Sequence, residues 1–145
     1  MINVNALVID DSGIMRKLVM RTLSETRLAL FRFIEAGDGV EGLAKFEANE
    51  VDIMFVDWNM PNMTGIDFVR NVRAREKGHT PIVMVTTEST MGKVEEALDG
   101  AGADSYVVKP FTKEVMQQKL APLFEQMSKP AKGAGFFGKL AQKLG

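Results

Sequence analysis

The chain has no cysteine, one histidine, one tryptophan and one tyrosine among its 145 residues, and the first two shortages remove whole classes of chemistry. Without cysteine there are no disulfides and no thiol nucleophile, which suits a reducing compartment. With His79 alone, in the polar stretch EKGHTP, a Ser/His/Asp triad would rest on one loop residue. No apolar run is long enough to span a bilayer, and MINVNALVIDD lacks the basic region, apolar stretch and cleavage site of a secretion signal. A cytoplasmic location is therefore expected. The net charge of -1 gives no overall pull toward nucleic acid or an anionic membrane. That average hides an asymmetry, because four lysines (Lys129, Lys132, Lys139, Lys143) and no acid lie beyond residue 127, so the preceding part carries -5.

What remains is 46% hydrophobic and 26% charged, a composition too apolar for general disorder and a length suited to one domain. Five short apolar runs, Ala6 to Ile9, Phe31 to Ile34, Ile53 to Val56, Ile82 to Val85 and Tyr106 to Val108, alternate with segments of helical spacing. That alternation predicts an α/β fold, a doubly wound five-stranded parallel sheet with five helices. The near-continuous apolar character of the runs fits strands covered on both faces. Helical stripes are expected at Met15, Val19 and Leu23 with Ile14 and Leu18 beside them, at Val40, Leu43 and Ala44, at Ile66, Val69 and Val72, at Met91, Val94, Leu98 and Ala101, and at Val115, Met116, Leu120, Leu123 and Phe124. Thr112 is placed to cap the last helix, and Pro122 predicts a kink inside it. Residues 1–127 thus form the folded domain. SKPAKGAG (128–135) reads as a flexible linker and FFGKLAQKLG (136–145) as a short basic tail. In that tail Phe136, Phe137, Leu140, Ala141 and Leu144 share one helical face with Lys139 and Lys143 off it, a pattern for docking on a protein partner.

In open parallel sheets the functional crevice lies beyond the carboxyl ends of the strands. Here the residues in that position are Asp10 and Asp11 after the first run, Asp57 after the third, Thr86 and Thr87 after the fourth, and Lys109-Pro110 after the fifth. Three carboxylates on one rim repel, since at ~4 Å and an effective dielectric of ~20 two unit charges still cost about 4 kcal/mol. A divalent cation resolves the conflict, and an all-oxygen site with room for water suits Mg2+. A carboxylate held between a metal and Lys109 can attack phosphorus, because both cations disperse the charge that builds on the phosphoryl oxygens. Gly37-Asp38-Gly39 reads as a strand-to-helix turn, not a phosphate loop, and Trp58 as a surface aromatic beside the pocket.

VIDDS, FVDWNMPNMTG, VMVTTES and SYVVKPF, in this order over residues 4 to 127, resemble the response-regulator receiver family, most nearly its stand-alone chemotaxis members. The resemblance implies a flavodoxin-like receiver fold with Asp57 as phosphoacceptor. It implies a Mg2+ ion held by Asp11, Asp57 and the backbone carbonyl of Asn59, with Asp10 acting through a water. Thr86 and Lys109 would bind the phosphoryl group, and Tyr106 would turn inward as Thr86 moves. Asn59 and Glu88 would tune turnover, and Lys109-Pro110 would be cis. The implied partners are a histidine kinase, a downstream target such as the flagellar motor switch, and a phosphatase. The protein itself would catalyse only its own phosphoryl transfer and dephosphorylation. Thr64 departs from the family, which commonly has Asp there. A Mg2+-dependent phosphatase of the haloacid dehalogenase type would need DxD after the first strand, where this chain has Asp10-Asp11-Ser12. The receiver of a transcriptional regulator would need a helix-turn-helix, for which the residues after 127 are too few.

Overall fold

The apolar runs become β1 (Asn3–Ile9), β2 (Leu30–Ala36), β3 (Ile53–Val56), β4 (Ile82–Thr86) and β5 (Ser105–Val108) in the computed structural model, which describes residues 1–129. The helices are α1 (Gly13–Thr26), α2 (Gly39–Ala48), α3 (Gly65–Arg73), α4 (Met91–Glu95), which runs directly into a π-helical segment (Glu96–Ala101), and α5 (Lys113–Ser128). The linker and tail expected over 128–145 lie outside the described residues from position 130 onward. All strand pairs are parallel, in the order β2-β1-β3-β4-β5. The order reverses between β1 and β3, so the crevice at their carboxyl ends is the switch point where such sheets bind ligands.

Two cores explain the unbroken apolar runs, because alternate residues of one strand serve opposite faces. Leu7 and Ile9 join Met54, Val56, Phe68, Val69 and Val72 beneath α2 and α3. Val4, Ala6 and Val8 join Val19, Leu23, Met116, Leu120 and Phe124 beneath α1 and α5. Each α-helix starts at a side-chain cap. Ser12, Asp38, Thr64, Thr90 and Thr112 accept hydrogen bonds from the backbone N–H groups of Met15, Glu41, Asp67, Lys93 and Val115. Each such cap stabilises its helix by about 1 kcal/mol.

Several expected stripes turn out differently. Ile14 and Leu18 are 86% and 45% exposed, because Thr22 and Thr26 take the other inward positions of α1. On α2, Val40 and Ala44 face solvent and the buried residues are Gly39, Gly42 and Phe46. Close packing accounts for this, since a Cβ at Gly42 would lie 2.7 Å from Ile9 Cδ1 and 3.1 Å from Phe68 Cε2. On the fourth helix Met91 is exposed, whereas Val94, Leu98 and Ala101 face the core as expected, joined by Ala97. Val115 is exposed. Finally, α5 continues through Pro122, which faces solvent. The Gln118 carbonyl that loses its donor there is on an exposed residue, so water can satisfy it.

Candidate functional site

Backbone hydrogen bonds carry the sheet ladder past the last strand residues and fix the rim. Asp10 N–H donates to the Ala36 carbonyl (3.2 Å), Asp57 N–H to Ile9 (3.0 Å) and Lys109 N–H to Thr86 (2.8 Å). The residues expected at the strand ends are thereby brought together. Asp10, Asp11 and Asp57 each offer a carboxylate oxygen within 4.8 Å of the others, with Asp10 and Asp57 buried and Asp11 exposed. Lys109 Nζ lies 2.8 Å from Asp10 Oδ2 and 3.5 Å from Asp57 Oδ1. The Ser12 and Trp58 amides donate to Asp10 Oδ1 and Asp57 Oδ1, each at 2.9 Å. The Lys109-Pro110 peptide bond is cis.

Asp57 holds its proton more tightly than an ordinary aspartate, and burial is the main cause. Lys109 works against the shift and the Asp10 charge adds to it. Mutual repulsion of the carboxylates, the sequence-based reason for expecting a cation, therefore contributes less than desolvation. The donor set contains carboxylate oxygens and no nitrogen or sulfur, which fits a hard divalent ion such as Mg2+.

Around this pocket Thr86 is fully buried, and its hydroxyl accepts from the Glu88 N–H at 3.3 Å. Asn59 Nδ2 donates to Glu88 Oε1 at 2.9 Å, bridging the loops after β3 and β4. Tyr106, which the family resemblance has turning inward during switching, is already inside. It is buried, and its hydroxyl donates to the Glu88 carbonyl at 2.6 Å. Burial, followed by the charges of Glu88 and Asp57, pushes its phenol up to about 12.

Trp58 corrects the sequence reading, since it is buried, 5% exposed, instead of lying on the surface. The Lys93 ammonium of α4 sits 4.7 Å from its ring centroid, a cation–π contact between the loop after β3 and α4 that sequence spacing does not pair. Two further residues were not expected at the site. Gly65 donates its N–H to the Trp58 carbonyl at 2.8 Å, and a Cβ there would fall 2.1 Å from the Asp57 carbonyl oxygen. The Gly after Thr64 in NMTG was the available signal. Arg16 donates from Nη1 to the Asp10 carbonyl at 2.7 Å, a contact with no sequence signal because it depends on the side chain folding back over the preceding turn. His79 is exposed in the loop before β4, on the opposite rim, and Gly37-Asp38-Gly39 forms the entry turn of α2.

The response regulator receiver domain model matches residues 6–121. The chain is similar to the chemotaxis protein CheY of Pseudomonas aeruginosa, with 40% identity over 123 residues that cover 84% of this chain and 97% of that protein. It is also similar to the chemotaxis protein CheY homolog of Campylobacter jejuni, with 46% identity over 116 residues covering 79% and 87%. Among solved structures, that of the chemotaxis response regulator CheY4 of Vibrio cholerae aligns with a TM-score of 0.73 at 36% identity, over 83% of this chain and 98% of that one.

Proposed function

The chain belongs to the response regulator receiver family as the receiver of a two-component system, and on that premise we propose that Asp57 accepts a phosphoryl group from a histidine kinase to control an output partner in chemotaxis. The observation that carries this reading is the buried Asp57 at the switch point of the sheet, beside Lys109 and within 4.8 Å of Asp10 and Asp11. One carboxylate oxygen of Asp57 attacks phosphorus, an O–P bond forms, and the bond from phosphorus to the donor's leaving atom breaks with its electron pair departing on the donor. Lys109 stabilises the charge on the phosphoryl oxygens and the Thr86 hydroxyl donates to one of them. Asp11, Asp57, the Asn59 carbonyl and, through water, Asp10 would hold Mg2+, which when bound supplies further positive charge at the same oxygens. Asn59 and Glu88, which hydrogen-bond to each other at 2.9 Å, would tune the attack of water on the acyl phosphate. The names of the relatives favour chemotaxis, and with it the flagellar motor switch as the output target and a phosphatase as a further partner.

Incubation with Mg2+ and acetyl phosphate should add one phosphoryl group, seen as a shift on a phosphate-affinity gel because the group adds about -1.5 to -2 charges. Undiminished labelling of Asp57→Asn would overturn the assignment. The basic segment 136–145 we assign to partner docking, on its amphipathic pattern and on the charge contrast with the acidic body. Removing residues 130–145 should leave labelling intact and weaken capture of at least one partner in a pull-down with the phosphorylated protein.

A further inference from the structure

We infer that Arg16 is a positioning residue for the metal site, holding the Asp10-Asp11 turn through the Asp10 carbonyl while Glu35 holds the guanidinium in place. The inference rests on reading the aspartate cluster as a Mg2+ site. Arg16 lies in the first turn of α1, and its side chain folds back over the residues that precede the helix. Nη1 donates to the Asp10 carbonyl at 2.7 Å, and Nε donates to Glu35 Oε1 at 3.0 Å. The head group passes close to two glycines, since a Cβ at Gly13 would lie 3.4 Å from Nη2 and one at Gly37 3.9 Å from Nη1. Glu35 is in turn shared with Lys17 at 3.0 Å, and both cations hold its carboxyl below the usual range. The guanidinium thus ties β2 and α1 to the peptide group that joins the two acids.

The geometry matters because the two acids are anchored differently. The Asp10 carboxylate is held by the Ser12 amide and by Lys109. Asp11 is exposed, and its direction follows from the peptide plane that precedes it, which is the plane Arg16 grips. A planar fork can donate to the carbonyl and to Glu35 at once, whereas a lysine ammonium on a flexible stem cannot reproduce that pair of directions.

Charge and positioning predict opposite signs, and that separates them. Arg16 is a cation near a cation site, so on electrostatics alone its removal should tighten Mg2+ binding. If Arg16 positions the ligands, removal should weaken binding, and outer partners of metal ligands are typically worth about 10- to 100-fold in affinity. The test is a titration of the full chain with Mg2+ alone, followed by calorimetry and by Trp58 emission, for the wild type, Arg16→Met and Arg16→Lys, with thermal midpoints measured alongside. Weakening of about 10-fold or more in Arg16→Met, with Arg16→Lys also weakened although its charge is kept, supports the inference. Unchanged or tighter binding in Arg16→Met overturns it, even if the midpoint falls, because that combination is a purely structural role. Should Arg16→Met not fold, the same two outcomes are read from Arg16→Lys. A wild type that binds no Mg2+ overturns the metal reading and this inference together. A wild type that binds, with variants that bind equally well, overturns this inference alone.

Discussion

Helices α3 and α4 leave the same rim from adjacent strands, yet they are held very differently. α3 buries Gly65, Ile66, Phe68, Val69 and Val72 within nine residues. Its first residue is bonded to the Trp58 carbonyl and packed against the Asp57 backbone. α4 buries none of its five residues, carries Met91 at 77% exposure, and includes Gly92, where an added methyl group would meet nothing within 4 Å. It then changes to π-helical hydrogen bonding. Asp57 therefore sits on the closely packed side of the crevice, while Thr86 and Glu88 lead toward α4, which buries none of its residues. Local opening free energy follows buried contacts, so a change at Asp57 is passed on more cheaply through α4 than through α3.

The largest expected effect tests this directly. With Mg2+ and acetyl phosphate, amide hydrogen exchange should change over residues 91–101 and stay constant over α3, and Asp57→Asn should remove both the labelling and the change. Equal changes in the two helices would break the comparison. Next in size is Gly65→Ala, which places a methyl group 2.1 Å from the Asp57 carbonyl oxygen. Because the obstacle is backbone, relief requires moving the acceptor loop, and we expect a loss of roughly 2 to 3 kcal/mol in urea unfolding together with slower labelling. A near-neutral result would show that the acceptor side is not stiff.

The same contrast explains how much could be read from sequence. Strand positions and the rim of Asp10, Asp11, Asp57, Thr86 and Lys109 were legible because a parallel sheet brings all its carboxyl ends to one edge, so position along the chain alone predicts convergence. The face of α3 was legible because Ile66, Val69 and Val72 follow the helical period. The face of α2 was legible only at Leu43, since Gly39 and Gly42 at two of its inward positions carry no hydropathy signal. The stripe of the fourth helix was legible at Val94, Leu98 and Ala101, which pack on the core, but not at Met91, which is exposed at the start of the helix. Trp58 was misplaced because its neighbours in sequence are polar, while the space it fills is made by residues of other elements. Arg16 and Lys93 act through side-chain directions that spacing does not encode.

A smaller effect sharpens the loose side of the comparison. Gly92→Ala adds a methyl group in open space within a helix, and it removes conformational freedom from the unfolded chain. The variant should gain ~0.5 to 1 kcal/mol, read as a higher denaturant midpoint with unchanged slope. A loss would mean that α4 is packed more closely than its exposure indicates.

The smallest effect at neutral pH concerns Tyr106 on β5, the edge strand beyond β4. Its phenol is pushed up to about 12 from an ordinary value of 10.0, first by burial and then by the charges of Glu88 and Asp57. The folded state therefore keeps the proton over a range in which the unfolded chain releases it. This contribution to stability is fully present below pH 10 and is lost as pH rises through about 12. Because Tyr106 is the single tyrosine, tyrosinate absorbance reports it alone, and in the folded protein it should appear about two units later than in the unfolded chain. The hydrogen bond to the Glu88 carbonyl and the buried ring belong to the same inward position. A midpoint near 10 in the folded protein would place the ring in solvent and extend the loosely held side from α4 to β5.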